Sequence, residues 1–319
     1  MMTPPHKFTI GVGLRFIRFP NLLIVIFTQF LIQYAILVPF FGAARLSPAL
    51  PFAQFCWFVC STVIIAATGY IINDILDADI DRINKPDRLV VTRYLSKSQA
   101  WYWYCALVVI GFGISLYLAL FVNNLLLLLI YPIAIGLLAA YSFYLKKQPL
   151  AGNVIVSIFC AFVPGVVLFA ERHTYFSLRQ DAPAIANEVL VLVGGYVLFA
   201  FVSTLFREIV KDMEDVEGDR QYGCRTLPIV LGISKTRTIA LLIAGIFIIF
   251  LVQMLHILLI QQALTGLFAV GLLLVLPLTV LLYLLLTAET TADFHRVSTG
   301  AKLLMLNGLL VLIVILMSQ

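Results

Sequence analysis

The sequence predicts an all-α integral membrane protein with nine transmembrane helices. Three observations carry that prediction. Hydrophobic residues fill 62% of the 319 positions and charged residues only 12%, with a mean hydropathy of +1.05. A water-soluble chain of this length could not bury so much apolar surface, whereas a bilayer requires it. The apolar residues also fall into stretches of the roughly 20 residues that crossing hydrocarbon demands, and charges collect at the ends of those stretches.

The first span covers 17–41. Before it, "MMTPPHKFTIGVGLRF" lacks a short apolar core followed by a small-residue cleavage site, so this span is expected to stay in the mature protein. The second span, 53–76, runs into "IINDILDADIDRINKPDRL" at 71–89. The third, 98–121, opens on the aromatic run "WYWY" at 101–104, which reads as an interfacial belt. The fourth covers 124–144 and is followed by the basic segment around Lys146 and Lys147. The fifth covers 151–170, and 171–187 reads as a solvated connector, with Glu171 and Glu188 marking outer span ends. The sixth, 188–211, runs into "REIVKDMEDVEGDRQYGCRTLP" at 207–228. The seventh, eighth and ninth cover 237–257, 262–287 and 300–318. Residues 1–319 thus read as a single polytopic domain. The five cysteines form no CxxC pair and suit apolar packing, and the four histidines are too scattered for a ligand cluster.

Charge placement orients the chain. With nine spans and the N-terminus inside, all of the 21 Lys and Arg except Arg45, Arg172 and Arg179 fall on the inner side. That asymmetry follows the positive-inside rule and predicts a cytoplasmic N-terminus; the expected location is a bacterial or archaeal cell membrane. Of the 16 acids, all but Glu171, Asp181 and Glu188 fall on the same side, although orientation does not require them there. Most belong to the segments after the second and sixth spans.

Those two segments share one spacing. Asp74, Asp77 and Asp81 are separated by three and then four residues, and so are Asp212, Asp215 and Asp219. On a helix turning about 100° per residue, with Asn73 as zero, Asp77, Asp81 and Asp74 fall near 40°, 80° and 100°, and Asp79 near 240°. In the second segment Glu208, Asp212, Asp215 and Asp219 share an arc of about 60°. A stripe of like charges repels itself and opposes the dipole at a helix C-terminus, unless a cation neutralises it. Carboxylate and Asn carbonyl oxygens are hard ligands suited to Mg²⁺ or Ca²⁺, and Mg²⁺ completes its shell with water and phosphate oxygens. Two such stripes predict a metal–polyphosphate site built from Asn73 and the six aspartates. A duplicated helical unit would also produce the shared spacing.

Cations for a diphosphate are at hand. Lys85 and Arg88 follow the first stripe, Arg207, Lys211 and Arg220 flank the second, and Arg18 opens the first span. Lys146 and Lys147 close the fourth. Arginine forks and lysine point charges bind phosphate oxygens and stabilise a departing diphosphate. Asn21 and Asn153, polar groups near the inner ends of spans, are candidates for lining a cavity.

These residues resemble the UbiA superfamily of intramembrane prenyltransferases. Its signature N-D-x-x-D-x-x-x-D is matched by Asn73, Asp74, Asp77 and Asp81, and N-x-P-x-R by Asn84, Pro86 and Arg88, with Leu89 where a second proline is common. D-x-x-D-x-x-x-D with G-x-x-T-L-P is matched by Asp212, Asp215, Asp219, Gly223, Thr226, Leu227 and Pro228. The R-P-x-N pattern appears as Arg18, Pro20 and Asn21 with the proline displaced by one, and Tyr141 and Lys146 stand one residue further apart than usual. The resemblance implies a helical bundle around a lipid-accessible cavity, with a cytoplasmic cap carrying both Asp-rich motifs and Tyr141 at the cavity. It implies Mg²⁺ bound to the aspartates, a prenyl diphosphate donor, a lipophilic acceptor and membrane lipids around the spans; no nucleic-acid partner is expected. The metal would act on the leaving group and the closed cavity would keep water from the allylic cation.

The wording of the second motif is similar to the branch forming an ether bond to geranylgeranylglyceryl phosphate, for which Arg93 and Arg225 could hold the acceptor phosphate. The alternative is an aromatic acceptor such as 4-hydroxybenzoate, dihydroxynaphthoate or homogentisate. In another class, an ion-coupled transporter would place acids near mid-membrane around helix interruptions, whereas these spans are nearly free of acids. A CDP-alcohol phosphotransferase would carry one acidic motif and fewer spans.

Overall fold

The computed structural model describes residues 9–84 and 89–317. Its helices, in chain order, are α1 (Ile10–Phe16), α2 (Phe19–Ala43), α3 (Phe52–Leu76), α4 (Ala78–Asn84), α5 (Lys97–Phe121), α6 (Leu126–Phe143) and α7 (Ala151–Ala170). Then follow α8 (Arg172–Asp181), α9 (Pro183–Glu214), α10 (Val216–Gln221), α11 (Leu227–Leu231), α12 (Ile233–Ile260), α13 (Leu264–Thr287) and α14 (Thr291–Met317). Among the described residues nine of these are long and apolar enough to cross a membrane: α2, α3, α5, α6, α7, α9, α12, α13 and α14. Side chains such as Val109, Leu242, Ile249 and Phe268 stand exposed, as hydrocarbon-facing groups do. α2 and α13 each contain a π turn, at Ile32–Leu37 and Gly271–Val275.

The chain divides into two compact units. One holds residues 1–145 and 166–187, the other 146–165 and 188–319. In the first, α3 packs along α5 and α6. The close approach of α5 and α6 depends on Gly111, where a Cβ would lie 2.1 Å from the Tyr131 hydroxyl oxygen. That hydroxyl donates to the Val108 carbonyl at 3.1 Å. α5 starts at a capping box, Ser96 accepting from the Gln99 N–H and Gln99 from the Ser96 N–H. A small core of Val12, Phe16, Ile71, Ile75, Ala78 and Val90 fixes α1, the end of α3 and the start of α4 against one another.

In the second unit, α9, α12, α13 and α14 share a core that includes Phe199, Phe206, Phe247, Leu274 and Leu304. Gly308 lets α14 approach α9, since a Cβ there would lie 2.3 Å from the Phe199 ring. The Tyr196 hydroxyl donates to the Gly308 carbonyl at 3.0 Å. Arg237 donates to the carbonyls of Leu286 and Ala288, tying α12 to the end of α13.

Three readings of the sequence are corrected by the structure. α9 extends beyond 188–211 at both ends, starting on Pro183, whose missing N–H has no partner to lose in a first turn. α14 starts at Thr291 rather than near 300, because Thr290 and Asp293 exchange backbone-to-side-chain hydrogen bonds that cap it. The connector 171–187 is not simply solvated, since it contains α8. Glu171 is 0% exposed. It accepts from the N–H groups of Ala49 at 2.6 Å and Leu50 at 3.2 Å, and from the Gln33 amide at 2.9 Å.

Candidate active site

Each acidic segment lies where a long helix breaks into a short one. In the first unit Asn73 and Asp74 end α3, Asp77 stands between helices at φ −90°, ψ 0°, and Asp81 lies in the first turn of α4. In the second, Asp212 ends α9, Asp215 stands between helices at φ −92°, ψ 6°, and Asp219 lies in α10. This bridge region is sparsely populated and often holds active-site residues. The sequence reading of one continuous helix is corrected here, yet the i to i−4 ladder survives the bend. The Asp77 and Asp81 N–H groups donate to the Asn73 and Asp77 carbonyls, both at 2.8 Å. Those of Asp215 and Asp219 donate to Lys211 and Asp215 at 3.0 and 3.1 Å. Spacing that suits a helical stripe therefore still applies.

Arg18 joins the first row. It precedes α2 in the left-handed conformation, φ 52°, ψ 49°. Its Nη2 donates to Asp74 Oδ1 at 2.6 Å, and its guanidinium lies 5.0 Å from the centre of the Tyr70 ring. Burial works to release the Arg18 proton, but Asp74, and behind it Tyr70 and Asp81, hold its pKa above the ordinary value. Asp79 points away from the row, as its angle predicts, and pairs with Lys97 at 3.4 Å in an exposed position. Asn21 sits in the first turn of α2, its N–H donating to the Arg18 carbonyl at 2.8 Å. Tyr141 is half-buried near the end of α6. Lys85 and Arg88 lie outside the described residues.

Asn153 joins the second row. Buried in the first turn of α7, it donates from Nδ2 to Asp212 Oδ2 at 2.9 Å. Ser157 Oγ donates to the Asn153 carbonyl at 2.6 Å and anchors that turn. The "GCRTLP" stretch folds back under the row, with Gly223 at φ 68° and the Cys224 N–H donating to the Asp219 carbonyl at 2.9 Å. The Arg225 N–H donates to the Lys147 carbonyl at 2.8 Å, which brings the Lys146–Lys147 turn beside this loop. Arg207 and Lys211 are paired with Glu208, Lys211 at 3.5 Å. Glu214 Oε1 accepts from His295 Nδ1 at 2.8 Å.

Glu208 lies inside α9, as it does in the sixth span read from the sequence. Its place on the arc with Asp212 was the available signal. The pairings of Glu171 and of Glu214 with His295 had none, as their partners are distant in sequence.

Among the described residues no three His, Cys, Asp or Glu side chains form a preassembled metal cage. Mg²⁺ does not need one, since one or two carboxylates with water and substrate phosphates satisfy it. The donors in both rows are Asp carboxylates and, in the first, the Asn73 side chain, all hard oxygens that fit this ion. Basic side chains stand beside each row, so the arrangement can hold a polyanion as well as cations.

Comparison with known proteins agrees with this reading of the fold. The description of the UbiA prenyltransferase family matches residues 33–307. A digeranylgeranylglyceryl phosphate synthase of Sulfurisphaera tokodaii is 36% identical over 194 residues, 58% of this chain and 60% of that protein. One from Methanoregula boonei is 31% identical over 185 residues, 56% of this chain and 57% of that protein. The matched region thus spans about three fifths of these curated relatives. A solved structure of digeranylgeranylglyceryl phosphate synthase in membranes superposes with a TM-score of 0.63 at 24% identity, covering 97% of this chain and 99% of that one. A UbiA homologue from Archaeoglobus fulgidus bound to DMAPP and Mg²⁺ gives 0.52 at 17% identity, covering 94% and 99%. With the family match extending over most of its length, the chain belongs to the UbiA prenyltransferase family.

Proposed function

We propose that this protein transfers a polyprenyl group from a prenyl diphosphate to a lipophilic acceptor, in a Mg²⁺-dependent reaction. The acceptor is geranylgeranylglyceryl phosphate and the product an ether lipid. The observation that carries this reading is the pair of acid-bearing helix breaks, one in each unit, with matching spacing and torsions. The names of the synthases similar to this chain support the acceptor, and the ligands of the Archaeoglobus fulgidus homologue are a prenyl diphosphate and Mg²⁺.

In this reading Asn73, Asp74, Asp77 and Asp81, with Asp212, Asp215 and Asp219, hold Mg²⁺ for the donor. The ion supplies positive charge to the leaving diphosphate. Arg18, Lys85, Arg88, Lys146, Arg207 and Lys211 bind the diphosphate oxygens and stabilise the charge that grows on them as the C–O bond breaks. Asn153 orients the Asp212 carboxylate, and Asn21 and Tyr141 line the cavity beside the donor. The apolar spans hold the polyprenyl tail and exclude water. Residues 1–319 act as one catalytic domain, with the N-terminus and the acidic rows on the cytoplasmic side, as the basic residues favour.

The test incubates purified protein, Mg²⁺ and geranylgeranyl diphosphate with geranylgeranylglyceryl phosphate or with 4-hydroxybenzoate, dihydroxynaphthoate or homogentisate, and identifies products by mass spectrometry. The expected product is the glycerophosphate ether. A product formed only on an aromatic acid overturns the acceptor, and no product on any of them overturns prenyl transfer.

A further inference from the structure

One acid in the second unit has no part in the roles assigned above. Thr204, Glu208 and Asp212 stand four residues apart on α9, so they share a face at steps of about 6 Å. Glu208 is 8% exposed and Thr204 2%. The Thr204 hydroxyl is buried with no nitrogen or oxygen partner among the described residues, and the thiol beside it is a weak hydrogen-bonding group, so inside a membrane span a ligand atom would be a better partner. From α7, Cys160 lies beside Thr204 and within reach of the charges on Arg207 and Glu208. A polar seam therefore leads from the acidic row about two turns into the span.

We propose that Glu208 takes the proton from an acceptor hydroxyl, with Thr204 binding a second polar atom of the same acceptor. This rests on the prenyl-transfer reading. The reacting carbon of the donor is one bridging oxygen away from the diphosphate, so a diphosphate held at Asp212 puts that carbon within about one helical turn, at the level of Glu208. The bond from carbon to the bridging oxygen breaks and its electron pair leaves with the diphosphate. The acceptor oxygen forms the new bond to carbon, and its proton passes to the Glu208 carboxylate. An oxygen that has just captured a carbocation is a strong acid, so the base need not be strong. A carboxylate paired with Arg207 and Lys211 serves, and those contacts fix its direction. The competing role for Glu208 is simply to neutralise these two cations.

The two roles separate in the Glu208→Gln variant, given geranylgeranyl diphosphate labelled with ¹⁸O at the bridge, Mg²⁺ and geranylgeranylglyceryl phosphate. Movement of label out of the bridge, read by phosphorus NMR, counts ionisation events; mass spectrometry counts ether. The ratio of ether formed to label moved is expected to fall by at least about 100-fold, the usual range for losing a general base. If ether and label movement decline together, Glu208 serves the donor and the proposal is overturned. If neither changes, the departing diphosphate takes the proton and it is equally overturned. Wild-type protein that moves label but makes no ether overturns the hydroxyl acceptor itself, a failure visible before any substitution.

Discussion

Arg18 adopts a left-handed backbone (φ 52°) that costs a residue with a Cβ roughly 1–2 kcal/mol. Its guanidinium shares Asp74 with whatever cation the first row would bind. On the proposed site, a divalent ion and Arg18 would compete for one carboxylate until a diphosphate offered the arginine another partner, which would couple metal to donor. Arg18→Gln should raise Mn²⁺ affinity without diphosphate and shrink, by about fivefold or more, the gain that diphosphate brings. Electron paramagnetic resonance of bound Mn²⁺ reads both. Arg82→Gln is the control, since Arg82 pairs with the exposed Asp79 and removes the same charge without touching Asp74.

Glu171 makes a different demand. Burial pushes its carboxyl up, against the N–H of Ala49, the Gln33 amide and the N–H of Leu50, which pull it down. A folded-state pKa above the unfolded one favours folding at pH below the unfolded value, and that contribution is lost as pH rises through the folded value. Thermal melts in detergent should show the difference in Tm between wild type and Glu171→Gln falling as pH rises over that interval. A difference independent of pH would remove this account of the Glu171 anchor.

At the scale of elements, both breaks place the middle aspartate at the bend itself, between the long helix and the short one. Asp77→Asn and Asp215→Asn keep the shape and hydrogen-bonding oxygen but remove the charge. Each should lower prenyl transfer by about 1000-fold or more, equivalent to several kcal/mol of lost metal-assisted stabilisation, while Tm stays within a few degrees. Activity close to wild type in both would remove the metal role. The stripe was legible because ladder hydrogen bonds cross each bend, so three-and-four spacing keeps its meaning even where torsions depart from a helix. The bends themselves were not legible, since nothing in "DILDAD" or "DMEDVE" is a breaker. Hydropathy located the spans, but helix ends set by capping were hidden. The cap at Thr290 lies in a polar stretch that reads as loop. The burial of Glu171 depends on backbone groups of Ala49 and Leu50, which no local pattern exposes.

Across the whole molecule, the nine spans and the distribution of Lys and Arg make orientation testable. In a background with its five cysteines replaced, Lys235→Cys should resist a membrane-impermeant maleimide in intact cells and react after lysis. Arg179→Cys should react in both. The reverse pattern would turn the proposed topology over, and with it the assignment of the acidic rows to the cytoplasm.

The π turn at Ile32–Leu37 has a bearing on α2 as a whole. Such a turn holds one residue more than α-helical winding accommodates. Excising Ala35 would let the winding close and would rotate the two halves of α2 by about 100° against each other. Gln33, docked on Glu171 before the excised position, and Phe41, fully buried beyond it, could then no longer both keep their places. The surplus residue works as a phase adjuster, setting the angular offset at which the two halves of one helix meet their separate partners.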